Sequence, residues 1–252
     1  MKKILLVLLA AVLLFGIASC SKKEQASAEK KVITIASDAT WPPMEYVDEN
    51  KNIVGFDVDL MNAAAEAGGY EVVIKNTAWD GIFAGLANGE YDAVCSSVTI
   101  TEERKATMDF SIPYVNAGQV LVVEAGNDTD KVLADMKGKE VGAQIGTTGA
   151  IEVQNTAGAV LKTYDEIGLA IADLANGRIA GVVADAPIAA DFVLQNDEYK
   201  SKLKIVGVPF TDEYYGVAVK KGNQEILDLI NAGLKKVIDS GKAKELEDKW
   251  LR

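Results

Sequence analysis

Leu86-Ala87-Asn88-Gly89-Glu90-Tyr91-Asp92-Ala93-Val94 runs directly into Cys95-Ser96-Ser97-Val98-Thr99-Ile100-Thr101-Glu102-Glu103-Arg104. The first half reads as a helix end, a glycine where a left-handed cap is wanted, and a short buried strand. A looser copy, Leu174-Ala175-Asn176-Gly177-Arg178-Ile179-Ala180-Gly181-Val182, leads on to Asp185. In a chain rich in Ala and Gly the echo supports two similar α/β lobes without proving them. Carboxyl ends of strands in open α/β sheets face the ligand crevice, so one lobe offers hydroxyls there and the other a carboxylate.

Working outward, short β-branched runs alternate with longer amphipathic segments, the pattern of βαβ units and a largely parallel sheet. Strands are predicted at 32–36, 70–75, 92–95, 118–123, 140–144, 180–184, 204–207 and 216–220. Helices are predicted at Asp57–Ala67, ending at Gly68-Gly69, and at Trp79–Asn88, ending at Gly89. Gln224–Trp250 reads as two helices broken near Gly241.

The 252 residues are 49% apolar and 25% charged, which excludes disordered, collagenous and multi-span membrane classes. A net charge of −11 argues against nucleic acid as a partner. Histidine is absent, which removes Ser-His and Cys-His nucleophile pairs, imidazole acid–base chemistry and nearly all catalytic zinc sites. No cofactor or metal is called for.

Lys2 and Lys3 precede an apolar or small run from Ile4 to Ala18, too short to span a bilayer comfortably and typical of a secretory signal over residues 1–19. Ile17-Ala18-Ser19-Cys20 resembles the bacterial lipoprotein box, which implies lipidation at Cys20; the alternative is an ordinary signal with a chance cysteine. Residues 20–31 then form the lipidated cysteine and a polar, flexible tether. Cleavage before Cys20 removes two lysines, so the mature charge is 24 − 37 = −13. With Cys20 acylated, Cys95 has no partner for an intrachain disulfide.

Past the strand at 92–95, Thr101 can cap a helix with Glu102 and Glu103 in its first turn, leaving Arg104 one turn in. A guanidinium beside strand-end amides suits a carboxylate, through two parallel charge-assisted hydrogen bonds. The structural alternative pairs Arg104 with Glu102, Glu103 or Asp109. Gly146-Thr147-Thr148-Gly149 follows the strand ending at Gln144 and can aim helix N-terminal amides at an anion; a plain turn with a Thr cap is the other reading. Trp41, in a proline-stiffened loop, and Trp79 could sandwich a small ligand, although lone aromatics are more often core.

From Val32 to Trp250 the chain resembles the extracytoplasmic solute-binding proteins of ABC transporters, in their polar and basic amino-acid branch. The landmarks are Trp41-Pro42-Pro43-Met44-Glu45-Tyr46, Gly55-Phe56-Asp57-Val58-Asp59-Leu60, Trp79-Asp80-Gly81-Ile82, Tyr91-Asp92-Ala93-Val94, Thr99-Ile100-Thr101-Glu102-Glu103-Arg104 and Phe110-Ser111-Ile112-Pro113-Tyr114. The resemblance implies a two-lobed α/β fold of the periplasmic-binding-protein kind (type II), each lobe a mostly parallel sheet flanked by helices. Lobe 1 would be 32–115 plus 212–252 and lobe 2 would be 118–208, with hinges near 115–118 and 209–212. It implies closure over one free L-amino acid, delivery to an ABC permease in the membrane, an extracytoplasmic lipid-anchored location, and a monomer.

Position by position, the resemblance gives Arg104 the ligand α-carboxylate, helped by amides or hydroxyls of Thr99 and Thr148. Asp185 takes the α-ammonium, with the Ser97 carbonyl and Thr99 hydroxyl. Trp41 and Trp79 sandwich the side chain, and Asp38, Ser96 and Gln144 face its far end. An Asp38 carboxylate left over by the zwitterion would be costly to bury unpaired. A cationic side chain removes that cost, so arginine is expected first, then lysine or histidine, then glutamine. An aspartate that merely caps the Trp41 loop is the alternative. The fold also hosts dehydratases, which need a general acid, and ligand sensors that signal to a receptor.

Overall fold

The computed structural model describes residues 30–251. The predicted signal, Cys20 and the tether up to residue 29 lie outside the described residues. Val32–Ser37 (β1) alternates Ile33 and Ile35 into the core. Thr40–Trp41 (β2), Glu45–Val47 (β3) and Ile53–Val54 (β4) form a small antiparallel sheet beside it. Phe56–Gly68 (α1), Glu71–Asn76 (β5), Ile82–Asn88 (α2), Ala93–Val94 (β6), Glu102–Thr107 (α3) and Met108–Phe110 (β7) complete the first passage through lobe 1. Gly89 closes α2 with φ 80°, as the cap reading expects. Gly55, before α1, has φ 136°, and a Cβ there would lie 2.2 Å from the Met44 carbonyl oxygen, so only glycine fits.

Val115–Asn116 (β8) crosses to lobe 2, built from Gln119–Glu124 (β9), Glu140–Gln144 (β10), Thr148–Asn155 (α4), Val160–Tyr164 (β11), Ile167–Ala175 (α5), Gly181–Asp185 (β12), Ala186–Ala190 (α6) and Leu203–Val206 (β13). Tyr214–Tyr215 (β14) crosses back, pairing antiparallel with β8. Ala218–Lys220 (β15), Gln224–Asp239 (α7) and Lys242–Trp250 (α8) finish lobe 1.

The two main sheets run β5-β1-β6-β15-β7 and β11-β10-β12-β9-β13. Within each, two pairings are parallel and two antiparallel, so the sheets are mixed where a purely βαβ reading expects parallel strands. The antiparallel pairings come from β15 in lobe 1, a strand that returns after the excursion through lobe 2, and from β9 in lobe 2, the strand by which the chain enters. Helix α7 lies on α1 at a close crossing: a Cβ on Gly233 would lie 2.3 Å from the Ala64 carbonyl oxygen. Ile226, Ile230, Leu234 and Val237 bury the inner stripe of α7.

Boundaries differ from the sequence expectations by one or two residues in most elements, and by three at Trp79. Helix α2 starts at Ile82, because Gly81 takes a left-handed conformation with φ 87° and breaks the chain direction ahead of it. Trp79 therefore sits in a turn rather than opening the helix.

Candidate functional site

The carboxyl ends of β1 and β6 from lobe 1 meet those of β10 and β12 from lobe 2 around one cavity of ≈310 Å3 of empty space. Asp38, Trp41, Trp79 and Ser96 line it from lobe 1, as do Ser97, Thr99 and Arg104. Gln144, Thr148 and Asp185 line it from lobe 2. All ten ligand-site candidates are thus gathered in one place, with Thr147 added.

Arg104 is placed as its sequence context suggests. The Thr101 hydroxyl accepts from its backbone N–H at 3.1 Å and caps α3. Of the partners in the structural alternative, Glu102 pairs with Lys105 and Asp109 with Lys221, while Glu103 acts on Arg104 through its charge. The guanidinium instead donates to the Thr99 carbonyl at 2.9 Å and, across the lobe boundary, to the Gly146 carbonyl at 3.2 Å. Its carbon stands 5.6 Å from the Trp79 ring centre and 5.2 Å from that of Phe83, within cation–π range. Burial lowers its pKa while Asp185 and Glu213 oppose the change, and a guanidinium stays charged throughout.

Asp185, at the end of β12, is 4% exposed; its Oδ1 makes no well-formed hydrogen bond among the described residues, although the Tyr215 and Gln119 side chains lie close enough to pull its pKa down. Burial, and after it the charge of Glu213, pushes its carboxyl up to about 7. A buried carboxylate beside the Glu213 charge is an unfavourable arrangement for the protein alone, one that Arg104 only partly relieves. It becomes favourable when a cation is supplied to it.

Asp38 corrects one expectation. Its carboxylate has partners, accepting from the Thr40 hydroxyl at 2.8 Å and from Gln144 Nε2 at 2.9 Å. Both donors are neutral, and burial still raises its pKa against their pull. The Thr40 contact is the kind expected of an aspartate that caps the Trp41 loop, while Gln144 reaches Asp38 across the lobe boundary. Ser96 also differs in detail: its hydroxyl accepts from the Asp38 N–H and donates to Glu45 Oε1 at 2.8 Å, so that hydroxyl supports the floor of the cavity.

Thr147 caps α4, accepting from the Ala150 N–H at 3.2 Å. The Thr148 hydroxyl donates to Glu213 Oε2 at 2.6 Å, and the Thr99 hydroxyl donates to the same oxygen at 3.1 Å. With both hydroxyl hydrogens engaged, the donors left for an anion are backbone amides at the α4 N-terminus and Arg104. Ser97 has φ 50°, unusual for a residue with a Cβ, and its N–H donates to Asp57 Oδ2 at 2.8 Å.

Four polar groups had no assigned role in the sequence reading. Glu45 and Asp57 are buried carboxyls beside the cavity that act on each other, and Glu45 Oε2 and Asp57 Oδ1 make no well-formed hydrogen bond among the described residues. Burial, followed by the Asp57 charge, pushes the Glu45 carboxyl well above its ordinary range. Glu213 and Gln119 stand at the crossovers. Glu45 and Asp57 lie within quoted landmarks, and an acid inside an otherwise apolar run is the signal that marks them.

Two lobes joined by paired crossovers, with one polar cavity between them walled by an arginine and an aspartate, define a solute-binding architecture. The chain belongs to the bacterial extracellular solute-binding proteins, family 3, which matches residues 33–252. It is 37% identical over 225 residues to a probable histidine-binding protein of Neisseria gonorrhoeae, covering 88% of this chain and 83% of the relative. It is 34% identical over 257 residues to ABC transporter arginine-binding protein 1 of Escherichia coli K12, covering 100% and 99%. An ancestral arginine-binding protein solved with arginine superposes with a TM-score of 0.84 at 41% identity, covering 89% of this chain and 100% of that one.

Proposed function

We propose that the protein is the extracytoplasmic binding component of an ABC importer, capturing one free cationic amino acid by closure of its lobes, with L-arginine favoured over lysine and histidine. The observation that carries this reading is that Arg104 and Asp185, whose Oδ1 makes no well-formed hydrogen bond among the described residues, line one cavity between the lobes. Arg104 and the α4 amides receive the α-carboxylate, and Asp185 with the Ser97 carbonyl and Thr99 receives the α-ammonium. Trp41 and Trp79 hold the side chain, and its cationic end meets Asp38, whose present partners are neutral.

Lobe 1 comprises 32–115 with 212–252, and lobe 2 comprises 118–208, hinged near 115–118 and 209–212. Ligand binding shifts the open–closed equilibrium by its differential affinity for the closed form, which the permease recognises. The protein acts by binding and carries out no catalysis, because every acid lining the cavity has a recognition role. It works as a monomer tethered to the membrane through lipidated Cys20. A glutamine-binding reading has one observation in its favour: the neutral Gln144 amide already satisfies Asp38, so a neutral ligand would not leave that carboxylate bare.

The test is isothermal titration of residues 21–252, stripped of ligand by unfolding and refolding, against L-arginine, L-lysine, L-histidine, L-glutamine and L-glutamate. Low-micromolar or tighter arginine binding, weakened at least tenfold in Asp38→Asn, is expected. Glutamine winning in the wild type and surviving Asp38→Asn would replace the cationic assignment, and silence from all five would overturn the amino-acid assignment.

A further inference from the structure

Glu213 lies on the second crossover, in the segment Asp212-Glu213-Tyr214-Tyr215-Gly216. Its Oε2 gathers three donors: the Thr99 hydroxyl of lobe 1 at 3.1 Å, the Thr148 hydroxyl of lobe 2 at 2.6 Å, and Gln119 Nε2 of lobe 2 at 3.4 Å. Gln119 Nε2 also donates to the Thr148 hydroxyl at 3.1 Å. The two threonine hydroxyl oxygens are 3.4 Å apart. One carboxylate oxygen therefore reads both lobes at once, and it can do so only while Thr99 and Thr148 are together.

A hydroxyl has one hydrogen and two lone pairs. A carboxylate accepts but cannot donate, so at Thr99 the hydrogen is committed to Glu213 and the lone pairs remain. We infer that Glu213 is a positioning residue for ammonium recognition: it takes the Thr99 hydrogen, fixes that hydroxyl as an acceptor towards the cavity, and does so only in the closed arrangement. The inference rests on the amino-acid reading above. It deepens that reading by assigning the hinge a part in selecting ligands that carry an α-ammonium.

The chemistry follows from the wall of the cavity. Asp185 presents Oδ1, which makes no well-formed hydrogen bond among the described residues, and an ammonium brings three hydrogens that need acceptors in different directions. Asp185 supplies one, the Ser97 carbonyl a second and Thr99 Oγ1 a third. Without Glu213 the Thr99 hydroxyl is free to rotate and present its hydrogen, which opposes an ammonium and tolerates its absence. Charge-assisted hydrogen bonds are the strong ones, so the loss falls on ligands that carry the ammonium.

The experiment compares wild type, Glu213→Met, which keeps the length of the side chain but has no oxygen acceptor, Thr99→Val and the double variant by titration calorimetry. The probes are L-arginine with its deamino analogue 5-guanidinopentanoate, and L-glutamine with glutaramate. Circular dichroism checks that each variant is folded. In Glu213→Met the preference for the amino acid over its deamino analogue is expected to fall about tenfold, whereas Glu213→Gln, whose amide oxygen still accepts, should keep most of it. Thr99→Val should produce a fall similar to that of Glu213→Met, and the double variant no further one, because both act through one hydroxyl. Equal weakening of both members of a pair in Glu213→Met, as a merely structural or closure role would give, overturns the inference while leaving the amino-acid reading intact. Additive effects on the preference in the double variant also overturn it. A wild type that binds neither amino acid overturns the reading underneath and the inference with it.

Discussion

Asp185→Asn in the ligand-free protein is expected to raise stability while destroying binding, and the gain should depend on pH. The folded carboxyl sits at about 7, against roughly 3.9 for an aspartate in an unfolded chain. That is about three powers of ten in proton affinity at ~1.4 kcal/mol each, so the ionised side chain costs the fold about 4 kcal/mol. Asp185 is 4% exposed, so solvent relieves little of this. The folded state holds the extra proton between the two values; stability therefore falls as pH rises from about 4 to 7, and the full cost is present above 7. Asparagine does not titrate and has nearly the shape of the neutral acid. The melting temperature of Asp185→Asn should match wild type near pH 4 and exceed it by on the order of 10 °C at pH 8, at about 2–4 °C per kcal/mol for a chain of this size. Scanning calorimetry on ligand-stripped protein across that range is the assay. A difference independent of pH, or a variant less stable than wild type at pH 8, would refute the reasoning. Ligand should raise the melting temperature of wild type at pH 8 and leave that of the variant unchanged.

Arg104→Lys keeps the charge but loses the planar fork that reaches both the Thr99 and Gly146 carbonyls; affinity for the amino acid should fall about a hundredfold, and titration giving a change under threefold would contradict the role. Gly233→Ala drives a methyl to 2.3 Å from the Ala64 carbonyl oxygen, forcing α7 away from α1. Urea unfolding should show a loss of about 1–3 kcal/mol, and an unchanged midpoint would mean that the two helices separate freely.

The core strands were legible because they carry their own signal. Ile33 and Ile35 alternate inward, and the Gly89 cap and the helix pair beyond Gly222 follow from local rules. The two- and three-residue strands β2, β3, β4, β7, β8 and β14 were not, since so few residues show no period. Val160–Tyr164 escaped for another reason: it is the edge strand of its sheet, and Val160 and Thr163 stay exposed. In the site, the residues at strand ends could be named from motifs, but where the Ser96 hydroxyl points could not, because that depends on Glu45, 51 residues earlier. The meeting of Thr99, Gln119, Thr148 and Glu213 is set by the two crossovers and has no local trace in the chain.

Strand β15 lies between β6 and β7 in the lobe 1 sheet, yet it is separated from β7 by the whole of lobe 2. Between Met108, which opens β7, and Ala218, which opens β15, 218 − 108 = 110 residues must be made. At about 5–20 residues per second a ribosome needs on the order of ten seconds for that stretch. Until its end, the N-terminal sheet lacks the strand that lies between β6 and β7, and by then every strand of lobe 2 has been made. Lobe 2 can therefore assemble first and lobe 1 closes last. Chain order alone keeps the N-terminal half unfinished, and threadable, until the molecule is nearly complete.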